Sequence, residues 1–190
     1  ISFISDSYRA VKYQKHQQDP WSIRWEFYTM MILQERLPAL MSGREMEGMY
    51  SLQYMKHRFC SIQFLREFTD ASFLVETYGD QGTLHDLINA HRVKNQKIDE
   101  VLIVFFALEL LSIVYSLHAC HIIHGDIKPD NFLLMNENAT KGDWKEWNRT
   151  GEPSWQFRGL QLIDFGRALD LSMYKSQDSQ LFEGDNHIEE

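Results

Sequence analysis

The chain has 190 residues, about the length of one domain, and 44% of them are hydrophobic, which favours a folded core over a disordered chain. Its formal charge at pH 7 is −8, from 19 basic and 27 acidic residues, and no basic block is present, so we expect no direct binding to nucleic acid. Cys60 and Cys120 lie far apart in the sequence and form no CxxC pair, as is usual in the reducing cytosol or nucleus.

The first part of the chain predicts two short strands and a helix. Residues 1–4 and 8–14 flank a turn-like Ser-Asp-Ser cluster, and we expect a strand in each. Ser22 is a typical N-cap residue, and an apolar periodic stretch follows it, so a helix is predicted over residues 23–37. Proline interrupts helical hydrogen bonding, and the helix is therefore expected to stop at Pro38.

A hairpin and a second helix come next. Residues 58–68 and 71–77 read as two strands joined by a Thr-Asp turn. Residues 79–82, with two glycines, read as a linker. Thr83 then predicts the start of a helix over residues 84–91.

The longest apolar segment predicts a third helix, over residues 101–120 and preceded by Asp99. The segment is apolar on almost every side, so we expect the helix to be buried all round. Glu109 and Ser112 interrupt it, and we expect it to be too short and too polar to cross a membrane.

Two further strands are predicted on either side of an insertion. The strands cover residues 132–135 and 160–163. Residues 136–158 are polar, contain three tryptophans and show no periodicity, so they read as an inserted loop.

The strongest chemical pattern is His-Gly-Asp-Ile-Lys-Pro-Asp-Asn at residues 124–131. Asp126 is of the type that accepts or orients the proton of an attacking hydroxyl group. Lys128 is suited to neutralising charge on a phosphoryl group in transfer. Asn131 offers an amide oxygen to a magnesium ion, so these three residues are the predicted catalytic group.

A second pattern is Asp164-Phe165-Gly166, directly after the predicted strand at residues 160–163. Mg²⁺ prefers a few carboxylate oxygens together with substrate phosphates, so Asp164 and Asn131 are the predicted metal ligands. Phe165 is expected to pack, not to contact a ligand.

A nucleotide-binding group is predicted nearer the start of the chain. Lys12 follows an apolar pair on a strand, as a lysine that pairs with nucleotide phosphates does. Such a lysine needs a helix carboxylate to orient it; Glu26 is the candidate, with Glu35 on the same helix as the alternative.

The segment after the hairpin is the expected place for an adenine ring to meet backbone groups. Glu76, Thr77 and Gly79 are therefore predicted to lie at the ATP site. Backbone hydrogen bonds depend little on side-chain identity, so the sequence tests this weakly.

Taken together, these residues resemble the signature set of eukaryotic protein kinases. Lys12 matches the strand lysine, Asp126 and Asn131 match the catalytic loop, and Asp164 matches the magnesium loop. Lys128 resembles serine/threonine kinases more than tyrosine kinases. The resemblance implies ATP and Mg²⁺ as cofactors and a protein hydroxyl as the acceptor.

The implied fold is α+β, a truncated bilobal protein-kinase-like fold. An N-lobe with a partial antiparallel sheet and an αC-like helix would cover residues 1–78, with the linker at 79–82. An incomplete helical C-lobe would cover residues 83–190, with the insertion at about 136–158. The glycine-rich loop and the activation segment of the family are not seen in these residues, so we expect the 190 residues alone to be inactive.

A closer resemblance is to the Bub-type mitotic checkpoint kinases. It is carried by Val-Lys-Tyr-Gln-Lys at residues 11–15, Trp-Glu-Phe-Tyr at 25–28, the run at 122–132 and the inserted loop. This resemblance implies a nuclear, kinetochore-located protein, with the cytoplasm as the alternative. It also implies a core histone tail as substrate, and checkpoint partners that bind through other regions.

Gly125 belongs to the same resemblance, because most kinases carry arginine there. Such an arginine often binds an activation-loop phosphate, and glycine has no group to do so. We therefore expect activity that needs no phosphate at this position.

Two other functions remain open from the sequence. Small-molecule phosphotransferases of the aminoglycoside- or choline-kinase type resemble the chain in using His-Gly-Asp, but Lys128 and Asp-Phe-Gly favour a protein kinase. A pseudokinase scaffold would be expected to lack one of Lys12, Asp126, Asn131 and Asp164, and all four are present.

Overall fold

The computed structural model describes residues 8–16, 22–42, 55–136 and 158–174. The strand predicted over residues 1–4 lies outside these described residues, and so do residues 137–157 of the predicted insertion.

A three-stranded antiparallel sheet is formed by β1 (Arg9–Lys15), β2 (Ile62–Glu67) and β3 (Ala71–Thr77), in the order β1-β3-β2. This confirms the strand predicted over residues 8–14 and the predicted hairpin. Exposed and half-buried residues alternate along β1, because successive side chains of a strand point to opposite faces. The alternation puts Lys12 on the half-buried face.

The strand β2 begins later than predicted because the residues before it pair elsewhere. Cys60 N donates to Leu162 O at 3.1 Å, and Leu162 N donates to Arg58 O at 2.8 Å. Residues 58–60 therefore tie the sheet to a strand much later in the chain.

The helix α1 (Ser22–Ser42) packs against the sheet and continues through Pro38, so the predicted stop there was wrong. Pro38 lies only four residues from the helix end, where its missing N–H removes a single hydrogen bond. Leu37 is buried and Leu40 packs against the core on either side of it. These contacts outweigh the lost bond.

The helix α2 (Leu84–Val93) begins as predicted at Thr83, through a capping box. Asp86 N donates to Thr83 Oγ1 at 3.1 Å, and Thr83 N donates to Asp86 Oδ2 at 2.8 Å.

The helix α3 (Glu100–Ala119) follows Asp99, as predicted, and the Asp99 side chain caps it, but the helix is not buried all round. One face enters the core, while apolar side chains on another face are exposed, among them Val104, Leu111 and Tyr115. The prediction of full burial rested on the apolar composition of the segment, whereas the burial of each side chain depends on which face of the helix it occupies.

By length and composition α3 qualifies as a membrane-crossing helix, with a mean hydropathy of 2.1, contrary to the sequence-based expectation. Core helices of soluble proteins meet the same criteria. The buried face of α3 carries Glu109, which is 3% exposed and pairs with the buried Arg58 at 2.9 Å. A buried ion pair with a neighbouring segment is the arrangement of a core helix.

Two small antiparallel pairs complete the described fold. They are β4 (Ile122–Ile123) with β7 (Leu169–Asp170), and β5 (Phe132–Asn136) with β6 (Arg158–Leu162). They bring residues 124–131 beside residues 163–168, and Ile163 N donates to Asn131 O at 3.0 Å across the gap. The architecture is α+β, with one hydrophobic core running from α1 through α3 to β6.

Candidate active site

Lys12 connects the sheet, the helix α1 and the segment after β6. Its Nζ lies 2.6 Å from Glu26 Oε2 and 2.7 Å from Asp164 Oδ1. Three predicted site residues, separated by up to 152 positions in sequence, therefore meet at one ammonium group.

Glu26 is the carboxylate that orients Lys12. It is fully buried, and its second oxygen accepts a hydrogen bond from Phe165 N at 3.1 Å. Glu35, the alternative left open by the sequence, lies exposed on α1. The geometry thus selects Glu26.

The ammonium group of Lys12 stays charged despite the cost of burial. Burial works to lower the pKa of Lys12, but attraction by Glu26 and Asp164 outweighs it and the pKa is raised. The pKa of Glu26 is also raised, because burial outweighs the opposing attraction of Lys12. A lysine held charged in this way is suited to binding phosphate oxygens.

The catalytic loop is organised around Asp126. Lys128 Nζ lies 2.8 Å from Asp126 Oδ2, and Asn131 Nδ2 donates to the same oxygen at 3.0 Å and to Asp126 O at 2.8 Å. The hydrogen bond from Lys128, with that from Asn131, lowers the pKa of Asp126. Asp126 is therefore ionised and suited to accepting a hydrogen bond from a hydroxyl group.

His124 and Phe165 fix the two loops against each other. His124 Nε2 lies 3.0 Å from Ile163 O, and Asp126 N donates to His124 Nδ1 at 3.3 Å. The ring of Phe165, fully buried, packs edge-on against His124 at 4.9 Å between centroids. Burial lowers the pKa of His124, so the ring is neutral and donates from Nε2. Phe165 packs, as the sequence indicated.

The donor set fits a magnesium ion that also binds phosphate. Both hydrogen bonds from Asn131 use Nδ2, which leaves its amide oxygen for a cation. Asp164 is 42% exposed, and its Oδ1 is the oxygen bonded to Lys12. Among the described residues no three His, Cys, Asp or Glu side chains converge on a common metal position. One carboxylate and one amide, completed by phosphate and water, is a set that Mg²⁺ accepts.

Asp164 also has an uncommon backbone. Its φ of 65° lies in the left-handed region, which non-glycine residues seldom adopt. Such strain is typical of functional sites.

Glu76, Thr77 and Gly79, predicted to lie at the ATP site, show no side-chain hydrogen bond to Lys12, Glu26 or Asp164 among the described contacts. Glu76 accepts a hydrogen bond from the Cys60 thiol at 3.1 Å, and Thr77 Oγ1 accepts one from Ser61 N at 3.3 Å. A Cβ on Gly79 would lie 2.9 Å from Leu133 Cδ1, so the linker packs directly on β5. Their role at a nucleotide site stays a prediction.

Sequence reasoning missed several residues that connect α1 to the segment after Asp164. Trp25 Nε1 donates to Ala168 O at 2.6 Å, and Arg36 forms a bidentate pair with Asp170. Asp170 lies on β7, far from α1 in sequence, and no local spacing marks it.

Gly125 has a steric role that the sequence did not reveal. Its φ is +77°, and a Cβ there would lie 2.4 Å from the carbonyl oxygen of Arg167. A side chain at this position would push the catalytic loop away from the segment after Asp164.

Comparison with known proteins agrees with this geometry. The protein kinase domain family matches residues 39–185, which is more than half of the chain. The chain belongs to the protein kinase domain family. A crystal structure of the BubR1 kinase domain matches 95% of this chain and 45% of that one, with a TM-score of 0.67 and 28% identity. The predicted truncated protein kinase fold is thereby confirmed.

The curated proteins similar to this chain include mitotic checkpoint kinases. The spindle assembly checkpoint serine/threonine-protein kinase BUB1 of Saccharomyces cerevisiae is 36% identical over 169 residues, 87% of this chain and 15% of the yeast protein. The mitotic checkpoint serine/threonine-protein kinase BUB1 of Arabidopsis thaliana is 35% identical over 175 residues, 91% of this chain and 30% of the plant protein. The resemblance to the Bub-type kinases is confirmed, and the chain spans less than a third of the length of these relatives.

Proposed function

We propose that the full-length protein containing this chain is a serine/threonine kinase that transfers the γ-phosphoryl group of Mg·ATP to a protein hydroxyl group. The observation that carries the proposal is the position of Lys12, 2.6 Å from the buried Glu26 and 2.7 Å from Asp164. An active protein kinase needs both the lysine–glutamate pair and the metal-binding aspartate in place.

The neighbouring residues support a division of roles. Asp126 orients the acceptor hydroxyl, with its contacts to Lys128 and Asn131 made through Oδ2 and the other oxygen left for the substrate. Lys128 stands beside it to neutralise charge on the group in transfer. Asn131 and Asp164 hold magnesium, and Lys12 binds phosphate oxygens. Bound Mg·ATP would supply the phosphoryl group.

The names of the relatives support a place in the mitotic spindle checkpoint. We place the full-length protein in the nucleus at kinetochores, with a core histone tail as its substrate and checkpoint proteins as partners of its other regions. Inactivity of the 190 residues by themselves remains a prediction.

The experiment measures transfer from labelled ATP by the full-length protein to three acceptors: a core histone tail, the same tail with Ser and Thr replaced by Ala, and an aminoglycoside or choline. Magnesium-dependent labelling of the first acceptor alone supports the proposal. Asp164→Asn should abolish the magnesium dependence together with the transfer.

Other outcomes separate the alternatives. Labelling of the small molecules alone would place the protein among the small-molecule phosphotransferases. ATP binding with no transfer to any acceptor would indicate a pseudokinase scaffold.

A further inference from the structure

The helix α1 is bound at several points along its length by the segment that follows Asp164. Near its start, Glu26 accepts from Phe165 N at 3.1 Å and Trp25 Nε1 donates to Ala168 O at 2.6 Å. Ten residues further along, Arg36 contacts Asp170. At 1.5 Å per residue these two attachments lie about 15 Å apart on the helix axis.

The second attachment is a fork. Arg36 Nη1 lies 2.8 Å from Asp170 Oδ1, and Nη2 lies 2.8 Å from Oδ2. The same two nitrogens also donate to Cys120 O at 3.0 Å and to Ser172 Oγ at 2.8 Å. One guanidinium group thus joins α1 to the end of α3 and to the segment after Asp164.

The surroundings of Asp170 favour its charged form and its contact with Arg36. It is 1% exposed, and Ser172 N, Ser172 Oγ and Tyr28 OH also donate to it, at 3.0, 2.7 and 3.3 Å. Burial works to raise its pKa, but the hydrogen bonds from Arg36 and Ser172 bring it down to about 2. The carboxylate is charged and buried, while the Arg36 side chain is 26% exposed. A planar bidentate contact of this kind is strong and geometrically specific.

The fork bears on the position of Glu26. Phe165 N and Ala168 O hold the first turns of α1, and the fork, about 15 Å further along, adds a polar attachment to the apolar packing of Leu37 and Leu40 at the other end of the helix. Loss of the fork would let α1 move and take Glu26 away from Lys12. The catalytic loop has no side chain at Gly125 that could hold α1 in place of the fork, because a Cβ there would meet the carbonyl oxygen of Arg167.

We propose that Arg36 and Asp170 form a positioning pair that holds α1 in the orientation in which Glu26 reaches Lys12, and that this pair sets the active geometry without a phosphate group. The inference rests on the proposed phosphotransfer function. Neither residue touches the reacting atoms, so both act through Glu26.

The test uses the full-length protein with Arg36→Met, Arg36→Lys, Asp170→Asn and the double variant Arg36→Met/Asp170→Asn. Four quantities are measured: kcat, KM for ATP, the rate at which a nucleotide acyl phosphate labels Lys12, and the unfolding temperature. The labelling rate reports on the position of the lysine without the need for a protein acceptor.

We expect Arg36→Met to lower kcat and the Lys12 labelling rate together, by about 10- to 100-fold, because small displacements in a reacting group have effects of this size. Arg36→Lys keeps the charge but loses the fork, so its effect should be smaller. The double variant should be no worse than the more damaging single variant, since both changes break one contact.

Arg24→Met is the matched control. Arg24 also lies on α1 and pairs with a carboxylate, Glu67, but both side chains are more than a third exposed and neither contacts the segment after Asp164 through that pair. Its labelling rate and kcat should stay near those of the unaltered protein.

The inference would be overturned if the folded Arg36 and Asp170 variants had a normal kcat and a normal Lys12 labelling rate and differed only in a lower unfolding temperature. The pair would then contribute to stability alone. Should Arg36→Met fail to fold, Arg36→Lys and Asp170→Asn decide by the same readouts. If the unaltered protein labels Lys12 but transfers no phosphate, the proposed function fails, and the labelling rates still judge the positioning pair.

Discussion

The buried pair between Arg58 and Glu109 is the contact whose loss we expect to weaken the fold most. The side chains are 1% and 3% exposed, and Glu109 Oε2 lies 2.9 Å from Arg58 Nε. The same oxygen is 3.4 Å from Leu160 N, so it also faces the start of β6. Gly159 makes room for the pair, because a Cβ there would lie 2.1 Å from that oxygen.

Glu109→Gln keeps the shape of the side chain and removes its charge. The buried guanidinium then loses the charge of Glu109, and breaking a buried ion pair in this way typically costs about 3–5 kcal/mol. At about 1.4 kcal/mol per factor of ten, the lower value corresponds to at least a 100-fold rise in the open fraction of this region.

Hydrogen exchange of the full-length protein, followed by mass spectrometry on peptides from α3 and β6, measures that opening locally. We expect exchange in Glu109→Gln to be about 100-fold faster. Glu67→Gln breaks an exposed pair with Arg24 and should change exchange little, since exposed pairs contribute about 0–1 kcal/mol. Equal exchange in the two variants would refute the reasoning.

Three further predictions concern the site itself. Gly125→Ala places a side chain at φ +77° against a backbone carbonyl, so we expect the free energy of unfolding to fall by about 1–3 kcal/mol and kcat to fall as well. If neither quantity changed, the geometry at Gly125 would be contradicted. Asp170 has a pKa of about 2 when folded and 3.8 ordinarily, so its hydrogen bonds from Arg36 and Ser172 together stabilise the fold by about 2 kcal/mol above pH 3.8, and this is lost as the pH falls toward 2. Urea titrations at each pH should show the loss, and Asp170→Asn should remove this pH dependence. Lys12→Met leaves Glu26 buried without this cation, so ATP binding and transfer should both fall. The pKa of Glu26 should rise further, which infrared spectroscopy of the carboxyl group over a series of pH values would detect.

Features defined by local spacing could be predicted from the sequence. The Asp-x-Lys-x-x-Asn spacing placed Asp126, Lys128 and Asn131 together, and one short loop does bring them together. The helix cap at Thr83 followed from residue type alone. Each of these depends on neighbours within five residues.

Features that depend on distant partners could not be predicted. Arg36 and Asp170 are 134 residues apart, and Arg58 and Glu109 are 51 apart, so no periodicity or spacing connects them. The sequence could not decide between Glu26 and Glu35 for the same reason, because the packing of α1 against the sheet determines which side of the helix faces Lys12. The apolar composition of α3 likewise predicted burial on every side, whereas the side that is exposed depends on which elements pack against the helix.

The central claim is that Asp126 takes part in phosphoryl transfer at a site formed by Lys12, Glu26 and Asp164. The most direct measurement is the single-turnover rate of transfer from Mg·ATP to a histone tail by the full-length protein and by Asp126→Asn, with ATP affinity measured in parallel. We predict a rate about 10²- to 10⁴-fold lower in Asp126→Asn, the usual worth of a positioned acid–base group, with unchanged ATP affinity. An equal rate in the two proteins would contradict the account.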